Sequence, residues 1–140
     1  MTMAFQAILE TVIEPTGVAN YLYYQTQEYN KYTVGTSGLG IIKAADYWGV
    51  KYIPIKSKNQ LDEELKKGRI IFAAMGNGKY ATPNWNHAII LHRYHNGLTY
   101  SFDPLQGLNN TWVSTDLIWR EKSSDPDDSR GRSQLYALYK

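Results

Sequence analysis

His87 and Asp103 are the residues whose types and spacing could do chemistry. His87 begins the apolar run "HAIILHRYH", Asn96-Gly97 follows, and "LTYSFDP" carries Asp103 back towards the same end. Asn-Gly between two such runs is a strong hairpin signal, so the two residues fall near the free ends of paired strands. An aspartate that accepts from one imidazole nitrogen fixes the tautomer and steadies the imidazolium, leaving the other nitrogen for acid–base work. The same residues also admit a bland reading, with Asp103 capping the turn before Pro104 and His87 merely starting a strand.

Other clusters are less specific. Strict alternation along a strand sends His92 and His95 to opposite sides, and with His87 they make no tetrahedral set, so no metal is expected. Asp125, Asp127 and Asp128 in "SDPDD" lack the later bidentate glutamate of a calcium loop and read as a solvated loop. "GTSGLG" and "GNGK" lack the phosphate-loop pattern. Asn109-Asn110-Thr111 is a formal glycosylation sequon, a signal with many false positives.

The elements that must position His87 and Asp103 follow from periodicity. "PTGVANYLYYQTQEYN" reads as a helix with Pro15 in its first turn, and "TSGLGIIKAADYWG" as a second, capped by Ser37 and stopped by Gly49. "VKYIPIK" is a short strand weakened by Pro54. "NQLDEELKKG" is a helix with early acids, late lysines and a terminal glycine. "RIIFAAMG", the two hairpin strands, "TWVS" and "QLYALY" are strands, with a helical turn starting near Ser114 or Thr115. Helices first and antiparallel strands later predict an α+β fold spanning residues 1–140 as one domain.

Composition narrows the class. The chain has 140 residues, 43% hydrophobic and 20% charged, enough to bury a core without metal or disulfide support. A net charge of +2 does not suggest nucleic acid or a membrane surface, and Lys66 and Lys67 read as a solvated helix face. No run approaches the ~20 apolar residues of a membrane span, and "MTMAFQAILE" is not a signal peptide. A cytoplasmic protein, or an exported one already processed, fits equally. Twelve tyrosines and four tryptophans suggest an aromatic groove suited to peptides or glycans. Cysteine is absent, which removes disulfides, thiolate metal sites and thiol nucleophiles together.

The segment "NQLDEELKKGRIIFAAMGNGKYATPNWNHAIILHRYHNGLTYSFDPLQG" resembles the papain-like cysteine peptidases of the bacteriocin-processing type, which cut leader peptides after a double glycine. The likeness lies in a helix, a strand opening onto glycine, a His-led strand, a hairpin and "DP", with Asp103 following His87 by 16 residues. It extends over roughly residues 6–120. It implies a papain-like fold, N-terminal helices packed on an antiparallel sheet, with His87 and Asp103 as base and orienter. It also implies a nucleophile at the start of the first long helix, in a C-x-P-T pattern, and an oxyanion glutamine about six residues upstream. This chain has "IEPT", so Pro15 and Thr16 match, Gln6 falls near the glutamine, and the cysteine position is Ile13, or Val12 by the glutamine spacing. Neither side chain is a nucleophile. A bench inactivation would leave Ala or Ser, so Ile13 reads as natural loss.

Three functions compete. The first is a degenerate, inactive peptidase-like domain that binds a peptide without thiol catalysis, in a cleft lined by aromatics such as Trp48, Trp85 and Tyr94, with Tyr21, Tyr23 and Tyr24 as further candidates. In it, Glu14 and Thr16 are possible substitute partners in the vacated site, Glu14 by pairing with His87. The second is a hydrolase or acyltransferase in which His87 and Asp103 serve a hydroxyl of Thr11, Thr16 or Ser37. The third is a non-catalytic partner-binding or structural protein. No cofactor is expected, the partner is a peptide or protein, and composition leaves the oligomeric state open.

Overall fold

Two consecutive apolar runs, "IIFAAM" and "HAIIL", carry no polar alternation, the pattern of strands covered on both faces. The computed structural model describes every residue except 27, 29–36, 84–85, 105–109 and 131. Its helices are α1 (Thr2–Leu9), α2 (Pro15–Tyr21), α3 (Gly38–Trp48), α4 (Lys58–Lys66) and α5 (Thr115–Glu121), with a π-helical turn at Leu22–Thr26. Its strands are β1 (Lys51–Pro54), β2 (Ile70–Met75), β3 (His87–His95), β4 (Leu98–Phe102), β5 (Thr111–Ser114) and β6 (Leu135–Tyr139). The six form one sheet in the order β1-β6-β2-β3-β4-β5, every described pair antiparallel.

Strand parity divides the interior in two. Phe72, Ala74, Ile90, Tyr136 and Leu138 pack with α1, α2 and α3, whereas Ile71, Ala73, Met75, Ile89, Leu91, Leu135 and Ala137 pack with α4 and α5. The mixed α+β architecture with N-terminal helices on an antiparallel sheet is therefore present, and a second helical layer covers the opposite face.

Local chemistry sets the boundaries. Ser37, Ser57 and Ser114 each accept a backbone N–H of the helix that follows, from Gly40, Gln60 and Leu117. Asn96 and Gly97, with φ of 48° and 79°, form the tight turn joining β3 to β4. Pro54 sits on an edge strand, where a missing N–H breaks no ladder. The helix expected from Pro15 loses its regular α pitch after Tyr21, because the backbone rewinds into the π turn.

Helix α1 carries no sequence signal. It has no side-chain cap, no early acid and no late base. Eight residues are too few to be stable alone, so burial of Ala4 and Phe5 must hold it.

Alternation fails at one place. A bulge falls between His92 and His95, where Arg93 takes φ 72°, so the parity argument that separated these two histidines does not apply. His92 Nε2 lies 3.3 Å from Gly68 O, and His95 Nε2 lies 3.4 Å from Asn96 Nδ2.

The loop at residues 123–130 packs on the start of α3. Gly38 N–H donates to Asp127 O at 2.9 Å, and a Cβ at Gly38 would lie 2.2 Å from Asp128 O. Asp128 accepts from Ser123 Oγ and Asn86 Nδ2, yet burial, the largest influence, pushes its carboxyl above the ordinary range.

Gly38→Ala should lower stability by about 1–3 kcal/mol, since backbone must move. Gly17→Ala, in an exposed helical turn with nothing within 4 Å, should raise it by about 0.5–1 kcal/mol. Urea unfolding of the two variants checks the opposite signs. A raised folded-state carboxyl keeps its proton longer in the native state, so stability falls as pH rises above the unfolded value of about 3.9. Asp128→Asn should flatten that fall, read as melting temperature against pH.

Candidate active-site remnant

Helix α1 ends at Glu10 in the left-handed conformation, φ 53°, and the chain turns back on itself. That return brings Ile13 against Gln6, whose Oε1 accepts the Ile13 N–H at 2.9 Å. Ile13 is 6% exposed and Val12 is 79% exposed. Of the two positions left open for the missing cysteine, Ile13 is thus the buried one held by the glutamine. Pro15 then starts α2, where its missing N–H costs nothing.

Across the sheet, His87 begins β3, and Asp103 follows directly on the last residue of β4. His87 Nε2 lies 2.6 Å from Asp103 Oδ1, with the carboxylate 3% exposed and the ring 12%. Bound this way, Asp103 fixes the imidazole through Nε2, so acid–base exchange would fall to Nδ1.

The two halves meet at a cavity of about 410 Å³. Met1, Thr2, Met3 and Gln6 form one wall, and Ile13, Glu14 and Pro15 a second. Phe72, Ala88, Ile89, Ile90 and Pro104 complete it from the sheet side. Ala88 and Pro104 are the residues directly after His87 and Asp103, so the dyad stands at the cavity's border.

Several expected partners lie elsewhere. Glu14 lines the cavity but forms no ion pair with His87 among the described residues. Thr16 and Thr11 are exposed and outside the lining, and Ser37 Oγ is engaged as a helix cap and by Glu28 at 2.6 Å. The expected cleft aromatics are not there either. Trp48 is drawn into stacking with Phe5, Tyr21 and Tyr47. Tyr94 packs on the α4 side of the sheet, with Lys66 Nζ 5.2 Å from its ring centre. Trp85 lies outside the described residues. Tyr23 and Tyr24 stack on each other away from the lining.

Two asparagines that spacing did not single out brace the dyad. Asn86, preceding His87, donates Nδ2 to Asp125 Oδ2 at 3.2 Å and Asp128 Oδ2 at 3.1 Å. Asn110 accepts the Asp103 N–H at 2.7 Å, and its own carbonyl accepts from Tyr100 Oη at 3.1 Å. Asn86 and its acids are some forty positions apart, so only the folded chain joins them. Asn110 had a local signal, a short polar residue soon after a turn, but the sequon reading obscured it.

Among the described residues no group of three or more His, Asp or Glu converges as a metal site, and no helix is long and apolar enough to cross a membrane. No family model and no curated protein matches the chain. Solved structures do. The peptidase domain of Streptococcus ComA, a bi-functional ABC transporter involved in quorum sensing, superposes with a TM-score of 0.62 at 17% identity, over 94% of this chain and 81% of that one. A C39-like peptidase from Bacillus anthracis superposes with a TM-score of 0.64 at 15% identity, over 99% and 85%. The chain therefore has the papain-like fold of the C39 peptidase domains, in a sequence that contains no cysteine.

Proposed function

We propose that this chain is a non-catalytic relative of papain-like peptidases that holds an extended peptide in the cavity between α1, the start of α2 and strand β3. The observation that carries the reading is the state of residue 13. It is a buried isoleucine whose N–H is taken by Gln6, and it lines the same cavity as Ala88 and Pro104, the residues that follow the hydrogen-bonded His87 and Asp103. In such a fold the backbone N–H of the nucleophile and a glutamine amide would stabilise an oxyanion. Here the one is bonded to the other, and no thiol stands beside them. What remains is a walled, mostly apolar slot with an amide and a carboxylate at its margin, suited to a peptide backbone carrying apolar side chains. The peptidase activity named for the ComA domain supports a peptide as the ligand class.

A second reading has its own observation. Tyr23, Tyr24, Tyr47 and Trp112 are all exposed and none lines the cavity. Aromatics on outer faces suit a protein partner docked away from the dyad.

Calorimetric titration with apolar peptides containing Gly-Gly separates the two. The first reading expects heat that is abolished by Ala88→Phe, which fills the cavity, and retained in Tyr47→Ala. Heat lost only in Tyr47→Ala favours the outer face, and absence of heat across a broad panel counts against the cavity. The site geometry has an independent check. The thiol introduced by Ile13→Cys should alkylate with an apparent pKa below the free value of about 8.5, since a helix start and His87 both favour thiolate. His87→Ala in that background should return it towards the free value. A thiol titrating like free cysteine in both would remove residue 13 from the proposed site.

A further inference from the structure

Glu14 is the only charged side chain among the residues lining the cavity. Its neighbours fix it there: Ile13 is bonded to Gln6, Pro15 has a restricted φ, and the Glu14 carbonyl accepts from Gly17 N at 2.9 Å and Val18 N at 3.3 Å. The carboxylate itself contributes nothing visible to the fold. It stands at the cap position of α2 without capping, and it forms no ion pair among the described residues. Serine, threonine, aspartate or asparagine at that position would typically stabilise the helix start by about 1 kcal/mol relative to a residue that does not cap. Aspartate would serve the helix dipole equally well. A position that forgoes local stability and leaves a carboxylate at the rim of an apolar slot is available for a ligand contact.

We infer that the cavity selects a cationic peptide, one that places a lysine, arginine or free amine at Glu14 while an apolar side chain fills the slot formed by Ile13, Phe72 and Ile90. The inference rests on the peptide-binding reading and names the chemistry of its ligand. Glu14 is exposed, so the attraction it offers a cation is that of a partly screened surface pair. A negatively charged ligand group beside Glu14 would be repelled by it.

The test uses the intact chain and three acetylated, amidated peptides of sequence Gly-Leu-Leu-X-Gly, with X as lysine, norleucine or glutamate, titrated by calorimetry. The expected result is that the lysine peptide binds roughly three- to fivefold tighter than the norleucine peptide, the range of a partly exposed ion pair. The glutamate peptide should bind weakest. Glu14→Gln should erase the lysine preference, so that the lysine and norleucine peptides bind alike, and 0.5 M salt should shrink it in the unmodified chain. Equal binding of lysine and norleucine peptides overturns the inference and leaves peptide binding standing. A preference that survives Glu14→Gln also overturns it, since the cation is then read elsewhere. No binding of any of the three, together with no heat from the Gly-Gly panel, overturns the peptide-binding reading and this inference with it.

Discussion

The register of β3 against β4 is the constraint on which the site depends. Ile90 opposes Phe102, Leu91 opposes Ser101 and His92 opposes Tyr100, so His87 and Asp103 end the two strands at hydrogen-bonding distance. A slip of one residue would turn every side chain of β4 to the other face. Two features hold it. One is the two-residue turn, whose Asn96 and Gly97 both take positive φ. The other is the inward polar pair of β4: Thr99 and Ser101 are fully buried, and Ser101 accepts from Tyr80 Oη at 2.9 Å while donating to Thr111 O. After a slip those hydroxyls would lose their partners, a cost of about 1–3 kcal/mol for each group left unsatisfied.

The same arithmetic shows why His87 and Asp103 hold one another in place. A carboxylate that is 3% exposed must be paired, and His87 is among its partners. Removing one member of a buried pair typically costs about 3–5 kcal/mol, because the other is left charged and desolvated. Residue 13 carries no such penalty. An isoleucine there adds to the core formed with Phe5 and Val18 instead of leaving a polar atom behind. Burial alone therefore favours keeping His87 with Asp103 and accommodates an apolar side chain at residue 13.

What the sequence made legible were the features written locally. The hairpin turn, the Ser37 cap, the helical start near Ser114 and the buried strand at residues 70–75 all depend on residues close in the chain, and all are found. Helix α1 was not legible, because tertiary burial of Phe5 rather than capping or charge makes it. The histidines at 92 and 95 were misassigned by parity, since a bulge is invisible to alternation. Glu14 was expected to replace the lost thiol as a partner of His87, but the nearer buried carboxylate holds the ring. The aromatics sorted by packing rather than by proximity to the dyad, and Trp48 packs against Tyr47 of its own helix and Phe5 and Tyr21 of the two before it. His87 and Asp103 could be paired from spacing; the residues bracing them could not.

Strand β6, read from the last residues of the sequence shown, lies between β1 and β2 and contributes to both cores, Tyr136 and Leu138 to one, Leu135 and Ala137 to the other. Until it is in place the sheet is two unconnected pieces with apolar edges open to each other. A strand that joins pieces distant in sequence makes the sheet depend on contacts of long separation, which slow folding for the chain's size, and leaves apolar strand edges unpaired until it docks.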